Sequence, residues 1–341
     1  MTNNCLIIGG EIAALRAAKD LIAYGISVTL VNPSKELGKI SKMFQSGISD
    51  FAFKKNVLRS HLEGLESNPN LNLMNNAQIT KIIKNQYPFE VEIAQNGTTQ
   101  NHVADTIIIA TGFEVFNAEK IEEYGYRYLE GVLTIFDLEM AFQQQKIPIN
   151  EKTKRIIFVL CVGSRTLKDG GNPDCSSYCC SYSINQALRI KKEFPSIEVV
   201  LMYMDIRTVA SHEYLYNEAR KAGVLFIRGR VSSIERAEDN LITFYEDTLA
   251  DSQDVLPADL VILAVGGVPL SDCDEIAMNF GVQFTPNRFV KITDKPVYTS
   301  TPGIFACGSA CDGVKNVPQC LSEGGAAAMA AIQFLAEKTE K

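Results

Sequence analysis

Long apolar runs are missing from this chain. The longest, such as Ile156 to Val162, are of strand length and fall far short of the ~20 residues that a spanning helix needs. The sequence therefore predicts no membrane span. Basic residues are outnumbered, with 33 Lys and Arg against 40 Asp and Glu for a formal net charge of −7. No basic run could track a phosphate backbone, so nucleic acid is not an expected partner. The three histidines, His61, His102 and His212, match no ligand spacing and no triad, and none is a candidate general base. No two cysteines stand in the Cys-x-x-Cys spacing used for dithiol exchange. Tandem repeats, low-complexity tracts and long flexible linkers are absent too. The opening Met1-Thr2-Asn3-Asn4 has no basic n-region, which predicts no secretory signal and a cytoplasmic location.

What is present is a chain of 341 residues, 46% hydrophobic and 21% charged, long enough for two packed domains and too apolar for disorder. Nine cysteines in a chain expected to stay in the cytoplasm point to metal binding or redox chemistry before structural disulfides. Four lie between Cys161 and Cys180 and three between Cys307 and Cys320. Cys5 and Cys273 stand alone, and structural roles are expected for both.

The segment Cys5-Leu-Ile-Ile-Gly9-Gly10 followed by apolar residues at Ile12, Leu15, Ala18, Leu21 and Ile22, then Ser27 to Val31, reads as strand, tight turn, amphipathic helix and strand. A helix is expected at about Asn56 to Glu66, a small antiparallel excursion over Gln78 to Ile83 and Phe89 to Ile93, and a buried strand from Asp105 ending on Gly112. A second unit starts at Arg155 and Ile156 to Leu160. It passes a cysteine-rich loop and continues with a helix from about Ser181 to Phe194, a strand over Glu198 to Met204, a helix over Glu213 to Ala222, a strand over Leu225 to Arg228 and a buried strand from Asp259 to Gly267. The same plan thus occurs twice. The late strand at Gly303 to Gly308 is most economically returned to the first sheet, with Ser322 to Glu337 as a closing helix. The fold class expected is α/β, with two dinucleotide-binding-like domains, the second inserted into the first. Residues 1–116 and 272–341 form the first, and 117–271 the insert.

A dinucleotide site needs a strand, a glycine turn, a helix whose free N–H groups face the pyrophosphate and an acid for the ribose. Here the turn reads Gly9-Gly10-Glu11-Ile12-Ala13-Ala14, so Glu11 stands at the second fingerprint glycine and Ala14 at the third, and the ribose acid is replaced by Asn32. The strand-glycine-helix context predicts a dinucleotide; the alternative is a sheet that has kept its shape and lost its ligand. In the second unit the glycine loop is replaced by Leu160-Cys161-Val162-Gly163-Ser164-Arg165 and, just before a helix, Cys175-Ser-Ser-Tyr-Cys179-Cys180. Four thiols at a strand end and a helix start could carry an iron–sulfur cluster, with the helix N-terminus helping to hold its negative charge. A zinc site built from the same four cysteines and a set of buried structural thiols are the alternatives. Cys307 and Cys311 read first as small packing residues, and the segment with Cys320 is also placed to tune or relay electrons. Arg207 could meet a flavin or an acid on a partner, or form a surface salt bridge.

These residues carry a resemblance. Cys161-Val-Gly-Ser-Arg165 with Cys175, Cys179 and Cys180, then Tyr203-Met-Asp-Ile-Arg207-Thr208, Ala219-Arg220-Lys-Ala-Gly223 through Arg228-Gly229, and Val317-Pro318-Gln319 resemble the flavoprotein component of heterodisulfide reductase, its A-type subunit, over most of the chain. The resemblance implies a two-domain flavoprotein fold like thioredoxin reductase, FAD in the outer domain, and a [4Fe–4S] cluster on Cys161, Cys175, Cys179 and Cys180. FAD would lie along Gly9, Gly10, Ala13 and Asn32, with Thr111, Gly112 and Gly308 near its other side. The ferredoxin-type cysteine runs of the long methanogen proteins are absent, and Ser49-Asp50-Phe51-Ala52-Phe53-Lys54 stands where those proteins have further cysteines. The short form looks like the A-type subunit of the heterodisulfide-reductase-like complex of sulfur oxidisers. That likeness implies an electron-transfer subunit in the oxidation of thiol- or carrier-bound sulfur, with B- and C-type subunits, a lipoate-binding sulfur carrier and NAD as acceptor among its partners, and a homodimer. Glu11 favours a rival from another class, a non-catalytic scaffold without flavin. A free-standing NAD(P)H-dependent flavin disulfide reductase is opposed by the missing Cys-x-x-Cys.

Overall fold

The computed structural model describes residues 3–43, 51–168, 170–208, 212–238, 240–271, 276 and 280–339, with backbone alone for 51–56. Cys273 and the expected domain boundary at 272 lie outside the described residues. By its internal contacts the chain divides into two compact units. One takes Met1–Lys42, Ala52–Glu114 and Pro269–Lys341, and the other takes Met43–Phe51 and Val115–Val268.

The first unit begins with β1 (Asn4–Ile8), α1 (Ile12–Ala23) and β2 (Ser27–Asn32), followed by α2 (Lys39–Met43) and α3 (Phe51–Leu62), the last two reaching the unit's edge. It continues with β3 (Leu71–Asn75), the antiparallel meander β4 (Ala77–Lys84), β5 (Phe89–Gln95) and β6 (Thr98–Ala104), and β7 (Thr106–Ile109). The strands Leu6-Ile7-Ile8 and Ile107-Ile108-Ile109 are uninterrupted apolar runs because their sheet is covered on both faces, and they are buried throughout. The late strand β17 (Ile304–Ala306) does return to this sheet, pairing in parallel with β7 to give the order β17-β7-β1-β2-β3. The closing helix α7 (Val317–Thr339) packs on α1 through small residues. A Cβ on Gly324 would fall 2.4 Å from the Ala13 carbonyl oxygen, so only glycine permits this approach. The helix starts earlier than its apolar pattern suggests because Pro318 sits in its first turn, where no N–H is needed.

The second unit repeats the plan. Its sheet runs β14-β13-β12-β11-β10-β15-β9. The strands are β9 (Val132–Thr134), β10 (Arg155–Val162), β11 (Glu198–Tyr203), β12 (Leu225–Ala237), β13 (Asn240–Asp247), β14 (Ser252–Ala258) and β15 (Leu260–Val265). Helices α4 (Ile135–Gln143), α5 (Cys179–Glu193) and α6 (Glu213–Lys221) accompany it. Two-residue strands, β8 (Glu114–Val115) and β16 (Gly267–Val268), stand at the segment ends. Further departures from the sequence expectation occur in both units, beginning with the helix expected at about Asn56 to Glu66, which runs over Phe51–Leu62. The strand expected to end at Arg228 runs on to Ala237 and folds into an antiparallel meander with β13 and β14, its polar, exposed positions having masked the alternation. The strand β6 is exposed at most positions and was hidden for the same reason. Helix α5 starts at Cys179 rather than Ser181, which puts two thiols in its first turn.

Helix α4 opens with a capping box: the Thr134 hydroxyl accepts from the Asp137 N–H at 3.1 Å, and the Asp137 carboxylate accepts from the Thr134 N–H at 2.9 Å. Replacing Thr134 by Ala should cost about 1 kcal/mol through the lost cap, read as a lower urea midpoint of the unfolding transition.

Candidate functional site

In the first unit, Gly9 has φ +124°, and a Cβ there would lie 2.1 Å from the Ala110 carbonyl oxygen, so the turn after β1 demands glycine. Gly10 lies against the Asn32 side chain, Ala13 is packed between Gly308 and Gly324, and Thr111 and Gly112 follow the neighbouring strand β7. The structure thus brings Gly9, Gly10, Ala13, Asn32, Thr111, Gly112 and Gly308 to the carboxyl ends of β1, β2, β7 and β17. That end of a parallel sheet is where dinucleotides lie in open α/β folds.

Two side chains in this group are already engaged. Glu11 is the N-cap residue of α1 without capping it. Its carboxylate instead accepts from the Ile40 N–H at 2.7 Å, the Ser41 N–H at 3.1 Å and the Ser41 hydroxyl at 2.8 Å. The charge that the sequence places against a pyrophosphate is therefore drawn onto the segment after β2. Asn32 is 3% exposed. Its Nδ2 donates to the carbonyls of Ser34 and Glu36 and to Asn75 Oδ1, and its Oδ1 accepts from the Ser34 N–H. An amide engaged in this way shapes the loop, and its hydrogen-bonding capacity is committed within the protein.

At the end of β17, Glu323 accepts from the Gly308 N–H at 2.9 Å and pairs with Lys315 at 2.7 Å. The Lys315 ammonium also donates to Cys311 Sγ at 3.4 Å. Burial disfavours its charge, yet Cys311 and Glu323 beside it raise its pKa above the ordinary lysine value. Cys307, Cys311 and Cys320 are buried. Burial pushes all three thiols up, Cys311 to about 12 despite the opposing pull of Lys315. Cys5 is fully buried in the core and its thiol is likewise pushed up.

In the second unit, β10 breaks register with β15 after Val159, and Cys161 turns left-handed at φ +62°. Gly163 follows at φ +74°, with the Phe116 ring where a Cβ would stand. The loop beyond is fastened to the end of β15. Asn172 donates to the Gly267 carbonyl at 3.0 Å, the Gly267 N–H donates to the Ser176 hydroxyl at 2.8 Å, and the Tyr178 hydroxyl donates to the Val265 carbonyl at 2.8 Å. The chain then enters α5 at Cys179 and Cys180.

The four thiols are electrostatic neighbours. Burial raises Cys161, Cys179 and Cys180, Cys180 to about 12, and for each the charges of other members of the set raise it further. Two sulfurs already accept backbone hydrogen bonds: Cys175 Sγ from the Ser177 N–H and Cys180 Sγ from the Arg207 N–H, both at 3.4 Å. Cys179 and Cys180 are buried, while Cys161 and Cys175 are half-buried. Cys161 lines a cleft of about 700 Å³ with Tyr124, Met202, Met204, Arg230 and Tyr245. Among the described residues no three ligand-type side chains are gathered tightly enough to hold a metal ion as they stand. The donor set nonetheless fits a metal centre in kind: soft sulfur ligands, N–H groups aimed at sulfur, and the positive end of a 15-residue helix.

A family model of pyridine nucleotide-disulphide oxidoreductases matches residues 3–163 and 186–336. The chain belongs to this family. Membership places it among oxidoreductases and supports FAD as its cofactor. The match is interrupted over residues 164–185, the stretch that holds Cys175, Cys179 and Cys180. Curated relatives are A-type subunits of heterodisulfide reductases. That of the ferredoxin:CoB-CoM heterodisulfide reductase of Methanosarcina acetivorans is 31% identical, with 68% of this chain and 34% of that protein covered. That of the H2:CoB-CoM heterodisulfide,ferredoxin reductase of Methanothermobacter thermautotrophicus is 34% identical, with 75% and 39% covered. The chain therefore spans little more than a third of the length of these relatives. Among solved structures, Lactococcus lactis thioredoxin reductase superposes with a TM-score of 0.68 at 17% identity, covering 98% of this chain and 100% of that one, a likeness of fold. The fold is the two-part α/β architecture that the sequence implied, and no helix among the described residues is long and apolar enough to cross a membrane.

Truncating Glu11 to Ala should leave the Ile40 and Ser41 amides without their acceptor. Hydrogen exchange at those two amides is expected to accelerate at least tenfold while the β1 amides keep their protection; unchanged exchange at Ile40 and Ser41 would show that the carboxylate does not hold this segment.

Proposed function

We propose that the chain is an FAD- and [4Fe–4S]-containing electron-transfer component of a heterodisulfide-reductase-like complex in sulfur metabolism, acting in the cytoplasm on thiol- or carrier-bound sulfur. The observation that carries this reading is the set of four neighbouring thiols at the end of β10 and the start of α5. Rossmann-like units use that position for a phosphate-binding glycine loop. Names of the curated relatives support the assignment, since they are A-type subunits of multi-subunit reductases. By extension, B- and C-type subunits, a lipoate-binding sulfur carrier, NAD as acceptor and a second copy of the chain are its proposed partners.

Cys161, Cys175, Cys179 and Cys180 would hold the cluster, and Gly9, Gly10, Ala13, Thr111, Gly112 and Gly308 would line the flavin. Asn32 would act on the flavin's ribose through the loop it organises. When bound, the two groups supply one- and two-electron redox chemistry. The chain's own part is to exclude water from Cys179 and Cys180, to aim N–H groups at two sulfurs, and to keep the Glu11 carboxylate on Ile40 and Ser41 instead of in the turn. Glu11 also favours a second reading, a scaffold without flavin, because it puts a carboxylate at the fingerprint position where the backbone would approach a pyrophosphate.

The visible spectrum of the protein purified without oxygen separates the two readings. Structured flavin bands over a broad shoulder that bleaches with reductant are expected; a colourless protein prepared with iron and flavin available would sink the electron-transfer reading and leave the scaffold. Cys179→Ser should lose iron and acid-labile sulfide while keeping the flavin bands, because its side chain belongs to the thiol set alone.

A further inference from the structure

The thiol set is ringed by fixed charge that the sequence did not reveal. Arg165 stands in the turn after Cys161. Arg207, beyond the end of β11, donates its backbone N–H to Cys180 Sγ at 3.4 Å. Asp205 stands between them. Its Oδ1 accepts from Arg165 Nη1 and its Oδ2 from Arg207 Nε at 2.9 Å, while its own carbonyl lies 3.8 Å from Cys180 Sγ. Both arginines are thus ion-paired to the same carboxylate. Two positive groups and one negative group therefore flank the sulfurs, a net excess of one positive charge. The side chains of Arg165, Asp205 and Arg207 are 24%, 41% and 49% exposed, so water screens Arg165 least and Arg207 most.

We propose that Arg165 and Arg207 set the reduction potential of the metal centre held by Cys161, Cys175, Cys179 and Cys180, with Asp205 as the counter-charge that limits their effect. The inference rests on the proposed function, which places a cluster on these thiols. A tetrathiolate cluster is anionic and becomes one charge more negative when it takes up one electron. Adjacent cations stabilise the reduced form more than the oxidised form and raise the potential, and an adjacent carboxylate lowers it. The surface salt bridge that Arg207 first suggested is thereby one side of a three-residue charge frame around sulfur.

A redox titration of the holoprotein, with dithionite as the one-electron source and the signal of the reduced centre followed by electron paramagnetic resonance, tests this directly. Arg165→Gln should shift the reduced-to-oxidised ratio about tenfold toward the oxidised form, which is about 59 mV downward for a one-electron couple, and the more exposed Arg207→Gln should shift it the same way by less. Asp205→Asn should shift it upward, and Arg207→Lys, which keeps the charge, should recover most of the wild-type value. If a glutamine variant fails to load iron, the opposite sign of Asp205→Asn and the recovery in Arg207→Lys still decide the matter. Potentials unchanged in iron-loaded variants, or shifts of the same sign for the arginine and aspartate changes, would overturn the charge assignment alone. A wild-type protein that binds no iron after anaerobic reconstitution would overturn the metal centre and this inference with it.

Discussion

The left-handed turn at Cys161 is the constraint on which the second unit's site depends. A regular strand through Cys161 and on past Val162 would carry the following loop, with Cys175, away from the end of β15. The register break after Val159 and positive φ at Cys161, Gly163, Arg165 and Ser177 curl the chain back on itself instead. Non-glycine residues adopt that conformation at a cost of order 1 kcal/mol each, so it persists only where surrounding contacts overdetermine it. Here Asn172, Ser176 and Tyr178 supply those contacts, all directed at the end of β15. The buried sheet thus holds the loop, and the loop holds the thiols.

The first unit solves a different problem. The segment after β2 and the end of β17 carry backbone donors outside any ladder, and donors left unpaired inside a protein cost roughly 1–3 kcal/mol each. Glu11 accepts from three of the unit's own donors, Glu323 from Gly308, and Asn32 closes the loop after β2. Lys315 balances Glu323, so the interior carries a paired charge at the end of β17. The two units share a plan of strands and helices, but one end carries carboxylates bonded within the protein and the other a set of four cysteines.

How much of this was legible in the sequence follows from the range of each interaction. Gly9 and the buried strands announce themselves locally, because the backbone demand and the apolar run are properties of a few consecutive residues. The four cysteines were visible as a local density of an uncommon residue. The charge frame was not: Arg165 and Asp205 are 40 residues apart and meet only once β10 and β11 lie side by side. Glu11 was legible as an intrusion in the fingerprint, but its hydrogen-bond donors, Ile40 and Ser41, follow 29 and 30 positions later on a segment with no distinctive composition. The meander of β12, β13 and β14 was missed because its outward residues are polar on strands long enough to leave the core.

The bonds of Glu11 and Asn32 give the stretch 34–41 the character of a strap buckled at both ends. Asn32, at the end of β2, holds it at Ser34 and Glu36, and Glu11, after β1, holds it at Ile40 and Ser41. Its path is therefore set by two side chains at the ends of the parallel sheet and not by its own composition.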